Sequence, residues 1–70
     1  NRYLGFNGCN NFEIKGKSIK GSKYLNEFCY GYDGEYHQLH LLHVYEMIDG
    51  TKFATTEISN NVYAFWEILD

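Results

Sequence analysis

Proline is absent from the 70 residues, so no ring-locked kink or rigid linker punctuates the chain, and its turns fall to Gly and Asn. No apolar run approaches the roughly 20 residues of a membrane-crossing helix, and nothing near the start reads as a signal peptide. A chain of 70 residues makes a single domain over 1–70, and its first residue, Asn1 rather than Met, suggests that it is either processed or excised from a longer chain. Cysteine is scarce: Cys9 and Cys29 are the minimum for one disulfide. A bridge between them would close a loop of about 20 residues and add about 3 kcal/mol. Two reduced thiols packed as small hydrophobes are the alternative. A bridged pair implies a secreted or periplasmic setting and a reduced pair a cytoplasmic one.

Motifs that carry chemistry are also missing. A phosphate-cradling loop needs Gly, four residues, then Gly-Lys-Ser/Thr. Here Gly16 is followed by Gly21-Ser22-Lys23, which puts the lysine one place too late. Lys15, Lys17, Lys20 and Lys23 lie within nine residues, yet only Tyr24 adjoins them as a stacking platform. A solvated hairpin tip is expected, with at most a phosphate contact and no nucleic-acid partner. A helix–turn–helix reader has no room between Thr55 and Val62. Cys9 or Cys29 beside a histidine would form a nucleophile–base pair, but no orienting group or oxyanion loop accompanies either. The expectation is a non-enzymatic protein without catalytic residues or cofactor.

Histidine offers one pattern, His37-x-x-His40-x-x-His43. On a strand His40 points opposite to its neighbours, and on a helix the ends of the series drift apart. Zinc would need a further Cys, Asp or Glu. A small metal-binding protein therefore stands as a lesser alternative, behind polar positions on a half-exposed element.

What is abundant is aromatic: seven Tyr, five Phe and one Trp, 19% of the chain. Rings bury large areas each, so even a core this small can offset the ordering of the chain. Seven tyrosines exceed what such a core holds, and several should reach the surface. Charge is lopsided within a net −3. Residues 1–23 carry Arg2, Lys15, Lys17, Lys20 and Lys23 against Glu13 alone, whereas residues 24–70 set Lys52 against eight carboxylates. An acidic body of this kind disfavours wide nucleic-acid contact and suits a basic partner.

Two Asp-Gly dipeptides, Asp33-Gly34 and Asp49-Gly50, bracket the apolar run Leu39 to Tyr45. Asp-Gly predicts two-residue hairpin turns with positive φ at both positions. Short strands are expected at 2–6, at 12–14 turning through Lys15-Gly16-Lys17 into 18–20, at 24–32 with a bulge at Gly31, and at 51–56. Two stretches read both ways. Residues 35–48 alternate as one long strand, but 34–42 better suits a short helix capped by Asp33, or an irregular turn, with a strand following at 43–48. Beyond the Ser59-Asn60-Asn61 turn, residues 62–69 read as a buried strand, while Ile58, Val62, Phe65, Trp66 and Leu69 also mark one face of a helix. The fold class is mainly β on the margin of α+β. It is a small antiparallel sheet or partly closed barrel built from hairpins, with one short helix at 34–42 or, alternatively, 57–69.

The stretch Gly5-Phe6-Asn7-Gly8-Cys9-Asn10-Asn11-Phe12 resembles the META domain family of heat-inducible bacterial lipoproteins and related secreted proteins. That family has a Gly-rich approach to Gly-Cys-Asn followed by an aromatic. The likeness extends loosely over residues 5–69, with Asn26-Glu27-Phe28 standing where the family has a Ser-Thr approach to its second cysteine. It implies a small antiparallel β structure with a short helix, an envelope or secreted setting, and no catalytic residues to carry over.

The reading is a small tyrosine-rich, acidic module that binds another protein. Its expected contact surface is Tyr30, Tyr32, Asp33, Glu35 and Tyr36, because Tyr among Asn and Gly gives contact area at low entropic cost. An alternative setting is a phage- or mobile-element-encoded inhibitor that blocks a host enzyme or defence complex.

Overall fold

The computed structural model describes residues 1–7 and 12–69. Among these residues seven strands follow one another: β1 (Arg2–Asn7), β2 (Glu13–Ile14), β3 (Lys17–Ser18), β4 (Lys23–Tyr32), β5 (Leu39–Glu46), β6 (Lys52–Ser59) and β7 (Val62–Glu67). Five form one antiparallel sheet in the order β1-β7-β6-β5-β4, and β2 with β3 forms a separate two-stranded hairpin. The four strands from β4 to β7 are a meander in chain order, and β1 returns to lie beside β7. The chain is thus a mainly β, antiparallel, hairpin-built structure. Its sheet does not close into a barrel: β1 and β4 remain opposite edges with no ladder between them.

Neither expected helix forms among the described residues. In the first case Asp33 does accept a hydrogen bond from the Tyr36 N–H, as a helix cap would. His37 then takes φ 57°, which ends the right-handed turn, and the alternating run from Leu39 enters the sheet against β4. The second helix is replaced by β7. Asn61 takes φ 61°, and Asn60-Asn61 makes a two-residue reversal between Ser59 and Val62. Residues 64–66 are apolar without alternation because both faces of β7 are covered. Ala64 and Trp66 join one cluster and Phe65 the other.

The reversals also differ from the Asp-Gly expectation. Positive φ at both central residues occurs at Lys15 (55°) and Gly16 (79°), in the β2–β3 turn. Asp33-Gly34 instead opens a wider loop over 33–38, closed by Asp33 N–H to the Gln38 carbonyl at 3.1 Å. Asp49-Gly50 lies in a loop closed by Met47 N–H to Thr51 C=O at 2.7 Å. There the Gly50 N–H returns to Met47 C=O at 2.9 Å with φ 90°. The wider loops arise because Asp33 and Asp49 use their carboxylates on local backbone N–H groups.

The expected bulge at Gly31 lies elsewhere. Leu25 and Asn26 are the unpaired residues, with Asn26 at φ 56°. Gly31 pairs regularly with His40, and its lack of a side chain has another cause. A Cβ there would stand 2.8 Å from Trp66 Nε1 and 2.9 Å from Leu42 Cδ1.

The two faces of the sheet carry separate clusters. Leu42, Val44, Ala54, Ala64 and Trp66 form one, flanked by Tyr3, Leu25, Cys29, Ile58 and Ile68. Phe53, Phe65 and Met47 form the other, capped by Phe12, Ile14 and Ile19 from around the β2–β3 hairpin. Phe12 stacks on Phe65 at 4.1 Å. Ion pairs clamp the hairpin in place. Lys15 reaches buried Glu67 at 2.8 Å, Arg2 meets the same carboxylate at 2.6 Å, and Lys17 pairs with Asp49. The Lys15 hydrogen bond and the Arg2 charge outweigh burial and hold the Glu67 carboxyl below its ordinary range.

Candidate functional site

The hairpin covers only part of its face. Because side chains alternate along a strand, Leu39, Leu41, His43 and Tyr45 share the face of Phe53, on which Tyr45 stacks at 5.5 Å. On β4, the residues opposite them in register are Tyr32, Tyr30 and Phe28, paired with Leu39, Leu41 and His43. These three cross-strand pairs form a ladder with little above it. Phe28 is 54% exposed, Tyr30 63%, Tyr32 66%, Leu39 54% and Leu41 47%. No Asp, Glu, Lys or Arg stands at any of the six positions. Sequence reading had marked Tyr30 and Tyr32 but missed Phe28, Leu39 and Leu41. Each resembles an ordinary core residue until the register shows that nothing packs over it.

The loop over 33–38 sits at the end of this ladder and is held from inside. Asp33 is 2% exposed. Its carboxylate accepts from the Tyr36 N–H and pairs with His40 Nε2. Burial opposes its ionisation, but those two hydrogen bonds outweigh the cost and hold its pKa below the ordinary value. Gly34 lies against the Tyr3 ring, where a Cβ would come within 3.0 Å. The loop is therefore fixed at both ends, and it presents Glu35 and Tyr36 to solvent, Tyr36 at 63% exposure. Of the five expected contact residues, Tyr30, Tyr32, Glu35 and Tyr36 are outward. Asp33 is turned inward and holds the backbone of Tyr36. Tyr36 also lines a shallow groove of about 490 Å³ with Phe6, Ile58 and Val62.

The histidine series is split. His40 belongs to the Trp66 side, bonded to Asp33 and 6.1 Å from the Trp66 ring. His43 is on the opposite face, edge-on to Phe28 at 5.3 Å, and His37 is exposed in the loop. Among the described residues no three His, Cys, Asp or Glu side chains gather as metal ligands. Cys29 is half-buried beside the Trp66 cluster, and burial pushes its pKa up, opposite to what a nucleophilic thiolate needs. Cys9, and with it the choice between a Cys9–Cys29 bridge and two reduced thiols, lies outside the described residues, as does the centre of the Gly5–Phe12 motif.

Two of the four lysines considered for a phosphate contact, Lys15 and Lys17, are engaged by Glu67 and Asp49. Lys20 lines a second open groove of about 490 Å³, between residues 19–22 and Tyr45, Thr55 and Tyr63. Among the described residues no helix is long and apolar enough to cross a membrane. The fold and face define a small antiparallel β domain with one half-covered sheet face. No protein-family model, curated protein or solved structure matches the chain.

Proposed function

We propose that the protein is a non-enzymatic binding module whose partner is another protein. The observation that carries this is the uncharged ladder of Phe28, Tyr30, Tyr32, Leu39 and Leu41, left open beside a loop already fixed by Asp33. Contiguous apolar surface of this extent on a small domain marks an interaction site more often than idle surface. A loop ordered before contact loses little entropy on binding. The ladder forms the apolar centre, and exposed Glu35 and Tyr36 on the adjoining loop form part of its polar rim.

Two settings fit such a module. The META-like resemblance supports an envelope or secreted accessory domain, whereas small size and an acidic body support an inhibitor that blocks a host enzyme or defence complex. A thiol assay separates them, with an oxidised Cys9–Cys29 pair expected for the first and two free thiols for the second. The function itself is tested by affinity capture with the wild-type domain beside Tyr30→Lys and Tyr36→Ala variants. A protein retained by the wild type and lost with Tyr30→Lys supports the reading; equal retention by all three refutes it.

A further inference from the structure

Resting on that reading, we propose that the partner covering the ladder is a second copy of this chain, stacked face to face about a two-fold axis. Area is the first argument. An aromatic side chain offers roughly 150–250 Å², so the exposed halves of Phe28, Tyr30 and Tyr32, with Leu39 and Leu41 beside them, present about 600 Å² per copy. Two such faces bury about 1,200 Å² in total, the lower end of a stable interface.

Charge is the second argument. In a two-fold contact residue i of one copy meets residue j of the other and j meets i, with only residues on the axis meeting themselves, so a patch carrying charge of one sign faces the same sign across it. The chain as a whole carries −3, yet the six ladder positions carry no Asp, Glu, Lys or Arg. The face can therefore meet itself without burying a carboxylate against a carboxylate.

Face stacking is favoured over edge pairing by the state of β4. Its Tyr30 carbonyl already accepts from Asn1 Nδ2 at 3.3 Å and its Tyr32 carbonyl from Trp66 Nε1 at 2.9 Å. Further back, the bulge at Leu25 and Asn26 breaks the run. A strand so occupied and bent is a poor template for another strand. Two sheets packed face to face about 10 Å apart remain, with the axis near the central Tyr30–Leu41 pair.

Sedimentation of the full chain from micromolar to near-millimolar concentration tests this. The expected result is a monomer–dimer equilibrium with a micromolar dissociation constant. Leu41→Lys should weaken it by about a hundredfold, since it buries an unpaired charge at the axis, with the far-UV circular dichroism spectrum unchanged. Ile48→Lys, on an 88% exposed residue away from the ladder, should leave it intact. A dimer that survives Leu41→Lys, or that dissociates equally with Ile48→Lys, overturns the proposal. So does a wild-type monomer throughout. If that monomer still captures a foreign protein through Tyr30, only the second copy is wrong; if it captures nothing, the binding reading fails with it.

Discussion

Gly31→Ala is the sharpest test of how the interior is packed. Gly31 sits in regular register with His40 and has no positive φ, so adding a methyl group costs nothing in backbone strain. By the unfolded-state argument alone, alanine should stabilise by about 0.4–1 kcal/mol. The new Cβ, however, would stand 2.8 Å from Trp66 Nε1, 2.9 Å from Leu42 Cδ1 and 3.0 Å from Trp66 Cδ1. Both Trp66 and Leu42 are fully buried, so either can yield only by pushing on the side chains packed around it. Overpacking of this kind costs about 1–3 kcal/mol. A displaced indole also strains its 2.9 Å bond to the Tyr32 carbonyl, and leaving that N–H buried without a partner costs about 1–3 kcal/mol more. The steric terms win, for a net loss of about 2–3 kcal/mol, which lowers the melting temperature by about 10–20 °C in a domain this small. Trp66 is the single tryptophan, so urea unfolding followed by its fluorescence reports the site and the stability together. Gly50→Ala is the control: open space surrounds that position but φ is +90°, so its cost of about 1 kcal/mol comes from backbone strain alone. A Gly31→Ala protein as stable as wild type would show that the indole is not locked between β4 and β5.

Two further outcomes are expected. Tyr3→Phe should raise stability by about 1 kcal/mol, because the Tyr3 hydroxyl is buried without a hydrogen-bond partner among the described residues; a lower urea midpoint for this variant would refute it. Acid should unfold the protein through Asp33, Asp49 and Glu67, whose folded pKa values are all depressed. Their stabilisation is full above the ordinary carboxylate range, near pH 4, and is lost as pH falls through the lower folded values. A urea midpoint that stays level down to about pH 2 would rule this out, and Asp33→Asn should flatten part of the slope.

Local chemistry in the sequence was enough to determine several of the strands, the sites of reversal and the surplus of tyrosine at the surface. Period-two alternation and turn residues are nearest-neighbour properties, so Arg2–Asn7, Lys23–Tyr32 and the Asn60-Asn61 turn were readable before any tertiary contact. Tertiary structure alone decided the rest. Residues 34–42 read as a short helix or irregular turn and 62–69 as either strand or helix, and the sheet decided both, by pairing Leu39–Glu46 with β4 and by burying both faces of β7. Gly31 was an apparent defect until the Trp66 indole was seen filling the space it leaves. Asp33 read as a contact residue and proved to be the internal brace of the loop. Leu39 and Leu41 looked like core because hydrophobicity records what a side chain prefers, whereas exposure depends on whether another layer arrives to cover it. Here the β2–β3 hairpin covers one half of the face, and the chain sends nothing among its described residues to cover the other.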